Sequence, residues 1–149
     1  MKLSFKTDYI MKVLLDLSIH YEQSPVHTEE IADRQDIPRK FLEQILLELK
    51  KGGFVDSKKG PRGGYVLAMA PEMISVGRVL RFVDGSLYTI ACADCGQKQT
   101  CRDIERCVFV PVWRELGDLT TRYLDGIDFQ KLADEARKRS DKEVLNYVI

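Results

Sequence analysis

Four cysteines, Cys92, Cys95, Cys101 and Cys107, fall within the stretch CADCGQKQTCRDIERC and are the only ones in the chain. Thiolates are soft donors, and a group of them in one loop points to an inorganic site. Such a group usually holds a soft metal or an iron–sulfur cluster, and two disulfide bridges within so short a loop are a further reading. A structural zinc site is the alternative, although Cys-x2-Cys pairs there usually come in twos and the second pair here has a five-residue gap. Redox-active free thiols are another reading. The two histidines, His20 and His27, have no partners at ligand spacing and read as surface or packing residues. Nothing in the chain forms a nucleophile–base–orienter set, so neither an enzyme nor a small-molecule substrate is expected.

The elements that position this loop can be read from apolar spacing. The chain has 149 residues, 44% of them hydrophobic, enough for one compact core plus an extension. Its start, MKLSFKTDYIMKVLLDLS, carries Lys12 and Asp16 within the apolar stretch and has no small-residue cleavage site. It therefore reads as neither a signal peptide nor a membrane span, and a cytoplasmic protein with reduced thiols is expected. Ile10, Val13, Leu14, Leu17 and Ile19 predict a first helix over 7–20, with Asp8 in its first turn where an acidic side chain suits the dipole. Thr28 is the expected N-cap of a short helix to Gln35. After the turn Asp36-Ile37, Pro38 fits the start of another helix carrying Phe41, Leu42, Ile45, Leu46 and Leu49 and ending at Gly52-Gly53.

Two such helices around a tight turn have the shape of a helix-turn-helix. The strand-like runs FVDSK and YVLAM around KGPRGG add a basic, glycine-rich hairpin, making a winged helix-turn-helix. Ser75 is the expected cap of a helix through Val83. Beyond the cysteine loop, a long helix is predicted from about Arg102 to Leu124. Ile104, Val108, Val112, Leu116, Leu119 and Tyr123 recur there at three- and four-residue steps, with Trp113 beside them. So long a stripe calls for a partner, most simply the same helix of a second subunit. A charged short helix and a tail complete the chain. The expected class is mainly α: a winged helix-turn-helix domain over 1–83, a cysteine-rich loop over 84–101, and a dimerisation helix with tail over 102–149.

Formal charge is zero, with 23 basic and 23 acidic residues, but its distribution is uneven. Between Arg39 and Arg62, seven basic residues (Arg39, Lys40, Lys50, Lys51, Lys58, Lys59, Arg62) face three acidic ones (Glu43, Glu48, Asp56). The local field, rather than the whole-chain sum, attracts phosphates, so double-stranded DNA is the expected partner. The second helix of the motif presents its N-terminal residues to the major groove. Arg39 and Lys40 suit guanine edges, Gln44 suits adenine, and Glu43 can accept from cytosine. Lys59 and Arg62 are placed on the wing to reach the minor groove or flanking phosphates, and Thr28 and Pro38 lie near the backbone contacts.

These pieces together resemble the small dimeric bacterial winged-helix regulators that include the iron–sulfur assembly regulator IscR, the nitric-oxide-sensing repressor NsrR and the iron regulator RirA. The matching residues are KTDYIMKVLLDLS, FLEQILLELKKGGFV, KKGPRGGY, and the cysteine loop leading to PVWREL. The resemblance implies an iron–sulfur cluster, [4Fe-4S] or [2Fe-2S], held by three loop cysteines and a fourth, variable ligand, thiolate ligation spreading the charge of its core. Cys101 and Cys107 match by their gap and their distance to Trp113, and either Cys92 or Cys95 matches the first. In one branch the fourth ligand is a histidine three residues after the last cysteine; Val110 stands there in this chain. In the nitric-oxide-sensing branch it is an acidic residue at the start of helix 1 of the other subunit, which Asp8 matches. The fourth cysteine departs from both branches, leaving open three cysteines with Asp8 or all four cysteines. The function implied is a homodimeric transcription regulator, expected to repress, whose operator affinity follows nitric oxide, iron or redox state through the cluster. A cluster-free regulator of the same fold, responding through thiol oxidation or a bound partner protein, is the alternative; an electron-transfer protein would leave the wing idle.

Overall fold

Ser4 opens the first helix, α1 (Phe5–Ile19), its hydroxyl accepting from the Thr7 N–H at 3.1 Å. The computed structural model containing it describes residues 3–23, 25–88, 90, 93–94 and 104–147. Ile10, Val13, Leu14 and Leu17 turn α1's apolar face into the core. Asp16 shares that face, with only 2% of its side chain exposed. A charge so placed must be paired. Arg34 donates to it from Nε (2.9 Å) and Nη2 (2.8 Å), and Gln35 from Nε2 (3.0 Å). Those bonds fasten α1 to the next helix, α2 (Thr28–Gln35), and raise the Arg34 pKa above its ordinary value.

The cap of α2 differs from expectation. His27, not Thr28, is the N-cap: its backbone is extended, its carbonyl accepts from Ile31 (3.2 Å), and Glu30 accepts from its N–H (3.3 Å). Thr28 is already the first helical residue. At the end of α2, Asp36 takes the left-handed conformation (φ 50°), Ile37 plugs into the core, and Pro38 caps α3 (Arg39–Lys51). Leu42, Ile45, Leu46 and Leu49 are the buried face of α3.

The chain then forms a hairpin of β1 (Val55–Lys58) and β2 (Gly64–Leu67), antiparallel with Val55 opposite Leu67 and Lys58 opposite Gly64. Its base is tied to the segment before α2, where Val26 and Tyr65 exchange backbone hydrogen bonds of 3.0 and 2.8 Å. Gly64 lets the strands approach that closely. Its φ is +150°, and a Cβ there would lie 2.3 Å from the Val26 carbonyl oxygen. A Gly64→Ala variant is therefore expected to lose about 2–3 kcal/mol, from backbone strain and weakened bridge bonds, measured by urea denaturation.

Ser75 caps α4 (Val76–Asp84) as expected, accepting from the Arg78 N–H at 3.2 Å. The long helix starts later than its apolar stripe suggested: α5 spans Val110–Asp125, and Ile104 and Val108 precede it. Pro111 explains the shift. It lacks an N–H and fits a first turn but not a helix interior. The remaining segment is no minor appendage: α6 spans Phe129–Tyr147. Asp128 opens it, accepting from the Lys131 N–H at 2.9 Å. Burial alone would raise the Asp128 pKa, but that bond and the Lys131 ammonium prevail and hold it below the usual carboxylate value. Phe129 and Ala133 are fully buried, and α6 packs along α1. Arg137 donates from Nη2 to the Ile19 carbonyl at 2.7 Å, satisfying an acceptor at the C-terminal end of α1. Among the described residues no helix is long and apolar enough to cross a membrane.

Candidate DNA-binding face and cysteine site

Because Leu42, Ile45, Leu46 and Leu49 face inward, the intervening positions of α3 must face out. Arg39, Lys40, Glu43 and Gln44 are all exposed. Arg39 is held between two carboxylates, with Nη2 at 2.7 Å from Glu29 and Nε at 3.2 Å from Glu43. These pairs engage Nε and Nη2 and leave Nη1 without an ion pair. Among the described residues no hydrogen bond or ion pair clamps Lys40 or Gln44. Pro38 is exposed and Thr28 half-buried at the start of α2. At the hairpin's tip Lys59 and Arg62 are exposed, on a turn closed by the Gly63 N–H donating to the Gly60 carbonyl at 2.9 Å. Gly60, with φ +109°, supplies the conformation that turn needs. The wing follows α3 without slack, since the Phe54 N–H donates to Leu49 at 2.9 Å.

Of the cysteine site, Cys92, Cys95 and Cys101 lie outside the described residues. Cys107 is half-buried in the turn before α5, its carbonyl accepting from the Val110 N–H at 3.3 Å. Val110 itself is buried, so the position that carries histidine in one branch of the resembling regulators is here part of the packing. Asp8 lies in the first turn of α1 with 53% of its side chain exposed, and Lys12 donates to it at 2.8 Å. That hydrogen bond raises the Lys12 pKa above its ordinary value. Asp8 is thus open to solvent while engaged by Lys12. Among the described residues no three His, Cys, Asp or Glu side chains converge on one point.

Beyond Cys107, α5 is largely uncovered. Val110 and Gly117 are its buried residues, whereas Val112, Leu116, Leu119 and Tyr123 are exposed along one stripe continued by Val108 and Phe109. Ile104 and Trp113 are half-buried. The opposite side is occupied: Arg81 of α4 pairs with Asp125 at 2.7 Å. Sequence spacing found the stripe but not the two anchors beneath it, which are a glycine and a valine with no chemistry to advertise.

The fold and the exposed basic helix and wing define a winged helix-turn-helix DNA-binding protein. The Rrf2 family, described as an iron-dependent transcriptional regulator, matches residues 3–135. The chain belongs to that family, and it is a transcriptional regulator rather than an enzyme. It is 36% identical over 148 residues to the HTH-type transcriptional regulator IscR of Aliivibrio salmonicida, covering 98% of this chain and 86% of that one. Among solved structures, IscR of T. potens superposes with a TM-score of 0.71 and 29% identity, over 91% of this chain and 88% of that chain. CymR, the global cysteine regulator of B. subtilis, shares the fold with a TM-score of 0.74 at 24% identity, over 91% of this chain and 98% of that one.

Proposed function

We propose that this regulator is a homodimer that represses from an operator in double-stranded DNA, and that an iron–sulfur cluster on the cysteine loop switches its operator affinity. The observation that carries the reading is the donor set: four thiols in one stretch, the last of them leading directly into the uncovered helix α5. Sulfur donors of this kind fit an iron–sulfur cluster, held by three of Cys92, Cys95, Cys101 and Cys107 with Asp8 of the other subunit, or by all four cysteines. When bound, such a cluster would supply iron that reacts with nitric oxide or oxidants and whose occupancy follows iron supply. The chain's own part is mechanical. The loop positions Cys107 at the start of α5, α5 pairs the subunits, and the pairing sets the spacing of the two α3 helices on DNA. A signal acts only through its differential free energy for two such arrangements.

Protein purified without oxygen is expected to carry iron and acid-labile sulfide, and its operator affinity should change about tenfold on cluster removal. A Cys101→Ser, Cys107→Ser variant should lose both the iron and the response. A colourless, iron-free preparation would reject the cluster. If that preparation nonetheless changed affinity on thiol oxidation, a cluster-free thiol sensor of the same fold would replace it.

On DNA, Arg39, Lys40, Glu43 and Gln44 read bases, and Lys59, Arg62, Thr28 and Pro38 lie along the backbone. Glu43 restrains Arg39, so a Glu43→Ala variant should bind operator more tightly, by about fivefold at most given that both partners are exposed. It should also discriminate less at the contacted base pair, as read by fluorescence anisotropy on a panel of single-base operator variants. Unchanged discrimination would remove Glu43 from the interface.

A further inference from the structure

The segment leaving α4 toward the cysteine stretch is held at three successive points. At its start, the fully buried Thr7 of α1 donates its hydroxyl to the Asp84 carboxylate, 2.9 Å from Oδ2 and 3.2 Å from Oδ1. Gly85 (φ +83°) then turns the chain out of the helix, and Leu87 is buried in the core. The third point is Tyr88. Its ring lies against α5 so closely that a Cβ on Gly117 would sit 2.1 Å from the ring Cδ1. Its hydroxyl donates to Asp118. Its own N–H donates to Ser86 Oγ at 3.2 Å, and Ser86 in turn donates to Asp94, within the cysteine stretch.

We propose that 84–88 is a coupling strap, in which Tyr88 and Gly117 are positioning residues that pass a signal received at the cysteine stretch on to α5. The inference rests on the functional reading above, which assigns signal reception to that loop. Anchorage on Thr7 fixes the strap to the DNA-binding lobe. A change received at Asp94 and Ser86 then bears on α5 through Tyr88 instead of being absorbed at the end of α4. Glycine at 117 leaves no space between ring and helix, and close-packed contacts of this kind switch between discrete arrangements rather than yield gradually. Gly117 is one of two buried residues on α5, so a push there moves the helix where it is held.

The test uses Trp113, the single tryptophan of the chain, half-buried on α5 one turn before Gly117. Its emission and the operator affinity are measured on anaerobically isolated protein before and after stripping with an iron chelator, and after alkylation with iodoacetamide. The unaltered protein should shift its emission and change affinity about tenfold. Tyr88→Ala should keep dimer mass and iron content, while its affinity ratio falls to within about twofold and its emission no longer shifts. Gly117→Ala should do the same in the Tyr88 background but add nothing on top of Tyr88→Ala, since the ring it displaces is gone. Should Tyr88→Ala not fold, Gly117→Ala with Tyr88→Phe, which keeps the ring and loses the hydroxyl, decides the matter. Retention of the full ratio and emission shift in these variants overturns the strap. An unaltered protein indifferent to stripping and alkylation fails differently: the loop then receives no signal, and the strap has nothing to transmit.

Discussion

A Leu116→Glu, Leu119→Glu variant is expected to sediment as a monomer and to bind operator about a hundredfold more weakly than the unaltered protein, because two half-sites would no longer be engaged by one molecule. Both leucines lie on the stripe that the described residues leave exposed, flanked by Val108 at 75% and Tyr123 at 71% exposure. A helix of 16 residues is about 24 Å long, and facing it with its symmetry mate would bury the stripe twice over. Glutamates at the centre would have to be desolvated without partners. The folded lobe should be unaffected, since neither leucine belongs to its core. Unchanged far-ultraviolet circular dichroism with halved mass would therefore localise the effect to association. A dimer of undiminished operator affinity would show that α5 is not the interface.

Phe129→Ala should cost about 3–5 kcal/mol, the range for truncating a fully enclosed aromatic side chain. Phe129 has no exposed surface and belongs to the same apolar cluster as Ile10, Leu14, Leu17 and Ile74. Its N–H also donates to the Ile74 carbonyl at 3.0 Å, so the site cannot collapse without disturbing that junction. Urea denaturation would show the loss as a lower midpoint at similar slope. A change below about 1 kcal/mol would mean that α6 contributes little to the lobe it covers.

How far these elements could be foreseen depended on where their determinants lie along the chain. The helices α1 to α3 and the hairpin were legible because each carries its own period, caps and turn residues: Leu42, Ile45, Leu46 and Leu49 at helical steps, and KGPRGG between two short strand runs. Three boundaries escaped. Apolar spacing ran continuously through Ile104 and Val108, whereas Pro111 sets the true start of α5. The stripe of α6 was present as Phe129, Leu132, Ala133 and Ala136, but charged neighbours masked it, and its partner surface on α1 is more than a hundred positions away. Thr28 was favoured as a cap by residue type, and the extended backbone of His27 took that role instead. The basic positions landed on exposed surface as expected, while the Arg39 clamp depends on Glu29 from a neighbouring helix. Cys107 alone of the four cysteines falls among the described residues, so its half-buried place before α5 is the part of that site the fold displays.

The clasp between Arg137 and the carbonyl of Ile19 joins positions separated by 118 residues. During synthesis, at roughly 5–20 residues per second, α1 leaves the ribosome well before its covering helix exists. The DNA-reading lobe thus remains unfinished while the thiol-bearing segment is already emerging. The nascent protein accordingly has an interval in which its sulfur atoms are translated but its promoter-reading half is not yet closed.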